Sequence, residues 1–168
     1  MGVVAPRVTT PASESDPASP TVRTAVTADL LAIFRIEKAS FPQPWPFAAF
    51  ERYVDEPGFL VAELGPGIAG YVVADAVPNH GRPLGHIKDI AVHPDHRGEG
   101  IGSLLLERAI GVLAAQGIDS VKLEVRESND TARSLYETFG FEHARTIPRY
   151  YDNGEDALVM LADLTVDN

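Results

Sequence analysis

The run Ile87–Ser103, IKDIAVHPDHRGEGIGS, concentrates the residue types that handle a phosphate. It reads as a strand, a basic turn rich in glycine, and the first turn of a helix. Gly98, Gly100 and Gly102 allow backbone N–H groups to turn toward a bound anion, and a helix N-terminus adds partial positive charge at the same place. Arg97 adds a full charge. The combination suits a pyrophosphate; a helix-start loop with incidental glycines is the plainer reading of the same residues. Two nucleotide motifs are excluded. A dinucleotide fingerprint would find its ribose-binding acid in Glu124, about twenty residues on, but the glycines are spaced GxGxG rather than GxGxxG. His93–Arg97 also separates the strand from the first glycine by too much chain for a tight turn, and repeated β-α-β units are missing on either side. No Gly-Lys-Ser/Thr is present, which removes a Walker A loop. His93 and His96 stand in a polar loop without a third ligand, so no metal is expected.

Two further side chains are of a type that moves protons. Glu124 stands in the expected strand Val121–Val125, either as a base or as an outward-facing residue paired with Lys122 or Arg126. Tyr136 shares a helix face with Ala132, Leu135 and Phe139, so core packing competes with a chemical role. Cysteine is absent, which excludes a thiol nucleophile, disulfides and thiolate metal sites.

The elements that must carry these residues are legible from periodicity. Residues 1–20 are rich in Pro, Ser, Thr and Ala without a sustained apolar period, and read as a disordered tail; one domain is expected over 21–168. Thr27 reads as an N-cap, with Asp29 in the first turn and Leu30, Ile33 and Phe34 at helical spacing. Phe41–Pro46, FPQPWP, is a rigid loop, and Pro46 is suited to start a short helix carrying Phe47, Phe50 and Val54. Strands are expected at Phe59–Glu63, Ile68–Ala76 and Leu84–Val92. An amphipathic helix follows, with Ile101, Leu104, Leu105, Ala109, Val112 and Leu113 inward and Gly117 closing it. After the strand Val121–Val125, Ser128 or Asn129 caps a last helix ended by Gly140, and Phe141–Thr146 and Ala157–Leu164 finish as strands. The order β-α-α-β-β-β-α-β-α-β-β implies an α+β fold with a mixed sheet, antiparallel early and locally parallel later.

Composition narrows the partners. The formal charge is −10, and Lys38, Lys88 and Lys122 are the only lysines, so the surface repels nucleic-acid phosphates. No apolar run is long enough to span a bilayer and the N-terminus lacks a secretory layout, which makes the cytoplasm the default location, with neither membrane nor nucleic acid as partner.

With these elements in place, the segment Arg97-Gly98-Glu99-Gly100-Ile101-Gly102 resembles the acetyl-CoA motif of the GCN5-related N-acetyltransferase (GNAT) superfamily, Arg/Gln-x-x-Gly-x-Gly/Ala. LEVRESNDTARSLYETFGF (Leu123 to Phe141) is similar to that superfamily's second signature. FPQPWP, GHI (Gly85 to Ile87) and YYDNGEDALVM (Tyr150 to Met160) are similar to the branch that acetylates protein N-termini, which includes the RimI-like ribosomal-protein alanine acetyltransferases and archaeal N-terminal acetyltransferases. The resemblance spans about residues 21 to 164.

The resemblance implies a mostly antiparallel mixed sheet, flanked by helices and splayed at a bulge to form a slot for acetyl-CoA. It implies cofactor contacts at Ile90, Ala91 and Val92, along Arg97–Ser103, and at Asn129, Ala132 and Tyr136. The Val92 N–H would stabilise the oxyanion. Glu124 matches the family's general base, Tyr136 the group that protonates the departing thiolate, and His86 a position that assists in some archaeal relatives. Phe41, Pro42 and Trp45 on one side, with Tyr150 and Tyr151 on the other, would wall the acceptor, although Phe41 and Trp45 also fit a plain core-covering role. Acceptors would be protein or peptide N-termini, ribosomal proteins among them. His86 and the acidic surface favour broad acceptance of Ser, Ala, Thr or Met starts. Acetylation of lysine side chains or small amines is the alternative within the fold, and a non-catalytic acetyl-CoA-binding module the alternative outside it.

Overall fold

The computed structural model describes residues 19–165. The expected tail therefore lies, apart from its last two residues, outside the described residues. The elements run β1 (Thr21–Thr24), α1 (Leu30–Ser40), α2 (Phe47–Glu51), β2 (Phe59–Leu64), β3 (Gly67–Val77), β4 (Leu84–Val92), α3 (Ile101–Ala115), β5 (Ser120–Arg126), α4 (Asp130–Thr138), β6 (Glu142–Ile147) and β7 (Ala157–Asp163). One seven-stranded sheet forms, in the order β1-β2-β3-β4-β5-β7-β6. Hairpin-linked β2, β3 and β4 pair antiparallel, whereas α3 crosses over and sets β5 parallel to β4. The mixed α+β sheet expected from the element order is what forms.

Each face of the sheet buries its own core. On one, Ile101, Leu105, Leu106, Ala109 and Leu113 of α3 pack with Ile87, Val121, Leu123, Val125 and Tyr136. On the other, Leu30, Ile33 and Ile36 of α1 and Phe50 of α2 pack with Phe59, Tyr71, Val73 and Ala91. Within α3, Leu104 stays partly exposed and Leu106 is buried, the reverse of the expected face, because Leu106 stands beside Leu105 over the sheet. Gly85 allows the close junction at β4: a Cβ there would lie 3.0 Å from Leu113 Cδ1 and 3.1 Å from Val121 Cγ2.

The helix ends fix the elements that carry the site. Past α3, the Gly117 N–H reaches Ala114 O and the Ile118 N–H reaches Leu113 O. Past α4, Gly140 and Phe141 repeat the pattern onto Glu137 O and Tyr136 O, and the Phe141 ring packs 6.0 Å from the Tyr136 ring. These are Schellman stops with their apolar contact. The second one pins Tyr136. At the other end of the chain the cap differs from expectation. Thr27 opens a short 3-10 turn and bonds nothing through its side chain among the described residues, while the Asp29 carboxylate accepts the Val26 N–H at 2.8 Å and both Arg23 Nη atoms. A buried carboxylate with three charge-assisted donors outcompetes a hydroxyl for that role.

Candidate active site

Strands β4 and β5 pair over only two positions, Gly85↔Val121 and His86↔Lys122. Beyond them β4 continues to Val92 on β3 alone, and β5 to Arg126 on β7 alone. The sheet therefore opens into a gap whose edges carry backbone groups without a strand partner. The His93 N–H bonds Ala69 O on β3, so alternation turns the N–H and C=O of Val92 into the gap. There the Val92 carbonyl accepts the Arg97 Nε–H at 3.0 Å. A cavity of about 530 Å³ occupies the gap, walled by Ile90, Ala91 and Val92 of β4, by the turn into α3, and by Asn129, Ala132 and Tyr136.

The turn into α3 forms the polar end of this cavity. Gly98 and Gly100 hold φ of +80° and +85°, left-handed conformations that only glycine takes without strain. Gly100 begins α3: its carbonyl accepts the Leu104 N–H, which leaves Ile101, Gly102 and Ser103 with free N–H groups at the cavity. Arg97 lines it too, held by Val92 O and by Ser40 Oγ at 3.0 Å. Glu99 belongs to the turn through its backbone only. Its carboxylate turns outward to His96 Nδ1 at 3.3 Å and takes no part in the lining. A carboxylate aimed into a cradle of N–H groups would compete with an anion; here it faces water. Asn129 has a second task, since its Oδ1 accepts the Ala132 N–H and caps α4.

His86 and Glu124 meet where the gap begins. His86 Nε2 lies 2.7 Å from Glu124 Oε1, and Lys122 Nζ 3.5 Å from Oε2. Both the outward-facing ion pair with Lys122 and a bond to His86 are thus realised. The His86 hydrogen bond, with Lys122 adding to it and burial opposing, holds the Glu124 carboxyl below the usual carboxylate range. Tyr136 is buried at the cavity wall, and burial raises its phenol above the ordinary value.

Residues 30–141 match the family model described as the Acetyltransferase (GNAT) family. The chain belongs to that family. It is 34% identical to an N-alpha-acetyltransferase of Sulfolobus acidocaldarius over 85% of this chain and 92% of that one. It is 32% identical to the [ribosomal protein bS18]-alanine N-acetyltransferase of Escherichia coli, over 87% and 99%. The crystal structure of the ribosomal-protein-S18-alanine N-acetyltransferase from Escherichia coli superposes with a TM-score of 0.77 at 30% identity, covering 89% of this chain and 97% of that one.

In this GNAT chain two aromatic loops stand near the gap, and one of them lines the cavity. Phe41 lines the cavity. Trp45 instead leans on Phe50 and Tyr53, so the core-covering alternative describes it, and Pro42 is exposed. Tyr150 and Tyr151 meet edge to face at 5.0 Å in a turn whose Arg149 has φ +50° and whose two tyrosine N–H groups both reach Glu155 O. Burial pushes the Tyr151 phenol up to about 12. The loops are tied together. Gln43 Oε1 accepts the Asp152 N–H at 2.9 Å and Arg126 Nη2 at 3.4 Å. Arg126 lies 3.9 Å from the Tyr151 ring centroid and binds Glu155, whereas Arg133 stays at the surface with Asp130 and Glu127 O. Sequence reasoning did not single out Gln43, nor the buried Glu37. That carboxylate accepts the Trp45 N–H at 2.8 Å and the Tyr71 hydroxyl. The signal was available: Glu37 sits in the apolar stripe of α1, four residues after Ile33.

No group of three His, Asp or Glu side chains able to hold a metal occurs among the described residues, and no helix there is long and apolar enough to cross a membrane.

Proposed function

We propose that this acetyltransferase moves the acetyl group of acetyl-CoA onto the α-amine at the N-terminus of protein chains. The observation that carries the reading is the position of the His86–Glu124 pair, at the point where β4 and β5 part, with the Glu124 charge felt by the Tyr151 phenol of the aromatic turn. The relatives' names support the same acceptor. The cavity fits the cosubstrate: left-handed glycines, three free helix N–H groups and Arg97 suit a pyrophosphate, and the narrow unpaired gap suits an extended arm. Bound there, acetyl-CoA supplies the thioester.

The protein's own groups then do the following. The Val92 N–H, turned into the gap, donates to the thioester oxygen as negative charge develops on it. Glu124, oriented by His86, takes a proton from the attacking nitrogen. Tyr136 gives its hydroxyl proton to the departing sulfur. Phe41 and the Tyr150–Tyr151 turn exclude water from the acceptor, and Gln43 holds the two loops in register. Because Gln43 and Arg126 bridge the loops, a chain end inserts more readily than a side chain in mid-chain.

The test is acetylation of short peptides that differ in residue one, beside the same peptides with a blocked α-amine and one internal lysine, with mass spectrometry locating the acetyl group. Modification of free α-amines alone is expected. Acetyl found only on lysine would remove the reading.

A further inference from the structure

The sheet face beneath α1 carries an acid that the reaction above leaves unused. Cross-strand partners share a face, and Val73↔Asp89 and Tyr71↔Ala91 belong to the core under α1. Between Val73↔Asp89 and Ala74↔Ile87 the register slips, with Lys88 as the extra residue. In a regular strand His86 and Asp89, three apart, would face opposite ways. The bulge returns both to the α1 face. Asp89 therefore shares the face of the His86–Glu124 pair, on the length of β4 that has lost β5, and it remains partly exposed.

The groups around Asp89 define its state. From β3 the Tyr71 hydroxyl lies 3.5 Å from Asp89 Oδ2 while bonding Glu37 of α1. Glu37 is engaged by the Trp45 N–H and fully buried, whereas Asp89 is the member of the acid pair that keeps some exposure. From α4 the Tyr136 phenol feels the Asp89 charge, and the Ile90 N–H of β4 adds a backbone donor to the carboxylate. Burial, with Glu37 adding to it, pushes Asp89 well above the ordinary carboxylate value, opposite in direction to Glu124.

We propose that Asp89 is the first acceptor of the substrate's proton: it takes one proton from the incoming α-ammonium, and Glu124 takes the next as the nitrogen attacks. The assignment rests on the α-amine reading above. The balance closes. An ammonium loses two protons on becoming an amide; as the N–C bond forms and the C–S bond breaks, Tyr136 protonates the sulfur and is itself reprotonated, through water, by the proton Glu124 took, while the other, released by Asp89, goes to water. Surroundings that favour a protonated Asp89 pull the first proton off the ammonium. Glu124, held strongly ionised, is the weaker base of the two and suits the more acidic nitrogen formed during attack.

The experiment compares Asp89→Asn and Tyr71→Phe with the wild type on a free α-amine peptide, following kcat/KM from pH 6 to 9.5 together with acetyl-CoA affinity. Without Asp89 the enzyme must use amine that is already neutral, roughly 5% at pH 6.5 for an ammonium of pKa ~7.8. Asp89→Asn is thus expected to fall behind the wild type in kcat/KM as pH drops below the amine value while wild-type Asp89 is still ionised, by at most about 20-fold at pH 6.5, and to converge on it by pH 9, with cofactor affinity unchanged. Tyr71→Phe removes a donor to the Asp89 carboxylate and should move the acid limb to higher pH. An Asp89→Asn deficit equal at every pH, as packing damage would give, or no deficit at all, overturns the proposal, as does an unmoved acid limb in Tyr71→Phe. A wild type inert on every α-amine overturns the reading beneath it instead.

Discussion

Glu124→Gln separates charge from shape at the point where the strands part. The amide oxygen can still accept from His86, which now lies 2.7 Å from Oε1. Lys122, 3.5 Å from Oε2, loses its ionic partner. Both side chains reach solvent, so the stability change should stay within about 1 kcal/mol. The loss in rate should be far larger. A positioned base is worth about 10²–10⁴-fold, or roughly 2.7–5.4 kcal/mol of barrier. Single-turnover thiol release at saturating acetyl-CoA reads the chemical step directly, and thermal melting checks the fold. The pH dependence carries a sign of its own. Because the folded value is depressed, chiefly by His86, Glu124 stays ionised at neutrality and fails only as pH falls through that depressed value. A Glu124 limb therefore belongs in the acid range, and His86→Ala, which removes the largest cause, should move it upward. A Glu124→Gln enzyme within about threefold of wild type would refute the assignment of Glu124 as a proton acceptor.

Three other perturbations address the scaffold. Gly100→Ala meets open space, so its cost is conformational, about 1–2 kcal/mol for a left-handed alanine; relief of that strain should rotate the N–H cradle and weaken acetyl-CoA roughly tenfold by calorimetry, with little change in kcat. Gln43→Ala removes the bridge from Asp152 and Arg126 to the opposite loop, an exposed contact worth about 0.5–1.5 kcal/mol. Peptide KM should rise severalfold without loss of acetyl-CoA affinity, and hydrogen exchange at the Asp152 amide should quicken. Asp29→Asn discharges the buried carboxylate that Arg23 hydrogen bonds hold below its ordinary value, at a cost of about 1–3 kcal/mol near neutral pH. That stability is present above the unfolded carboxylate value and lost as pH falls through the folded one, so the wild-type advantage in melting should fade in acid.

The sequence made the sheet legible because its signals were local. Apolar alternation and flanking glycines located β2 to β7 to within a residue or two, and Gly117 and Gly140 marked helix ends that the structure closes as Schellman stops. The turn Arg97–Ser103 was equally plain, since a left-handed Gly100 before a helix is a local requirement. Where a long-range partner decided, the signal failed. Asp29 rather than Thr27 caps the first helical segment because Arg23 and the buried N–H of Val26 converge on it. The outward turn of the Glu99 side chain toward His96 was not legible either.

The bulge at Lys88 is the sharpest instance. Read along GHIKDIAV with period two, His86 and Asp89 fall on opposite faces, and Asp89 reads as the residue turned away from any chemistry of Glu124. The family resemblance implies a bulge in this strand, but nothing in the octapeptide's own pattern puts the extra residue at Lys88. The slip is set by β3, where Val73 pairs with Asp89 and Ala74 with Ile87, and by α1, whose Glu37 and the Tyr71 hydroxyl receive the carboxyl that the slip delivers. One added residue therefore goes with two things. The β4–β5 ladder stops beside it, which makes room for a cofactor arm, and a second carboxylate comes onto the face of the His86–Glu124 pair. A regular β4 would turn Asp89 to the opposite face, so the splay that binds acetyl-CoA and the acid pair that prepares its acceptor meet at one irregularity of the strand.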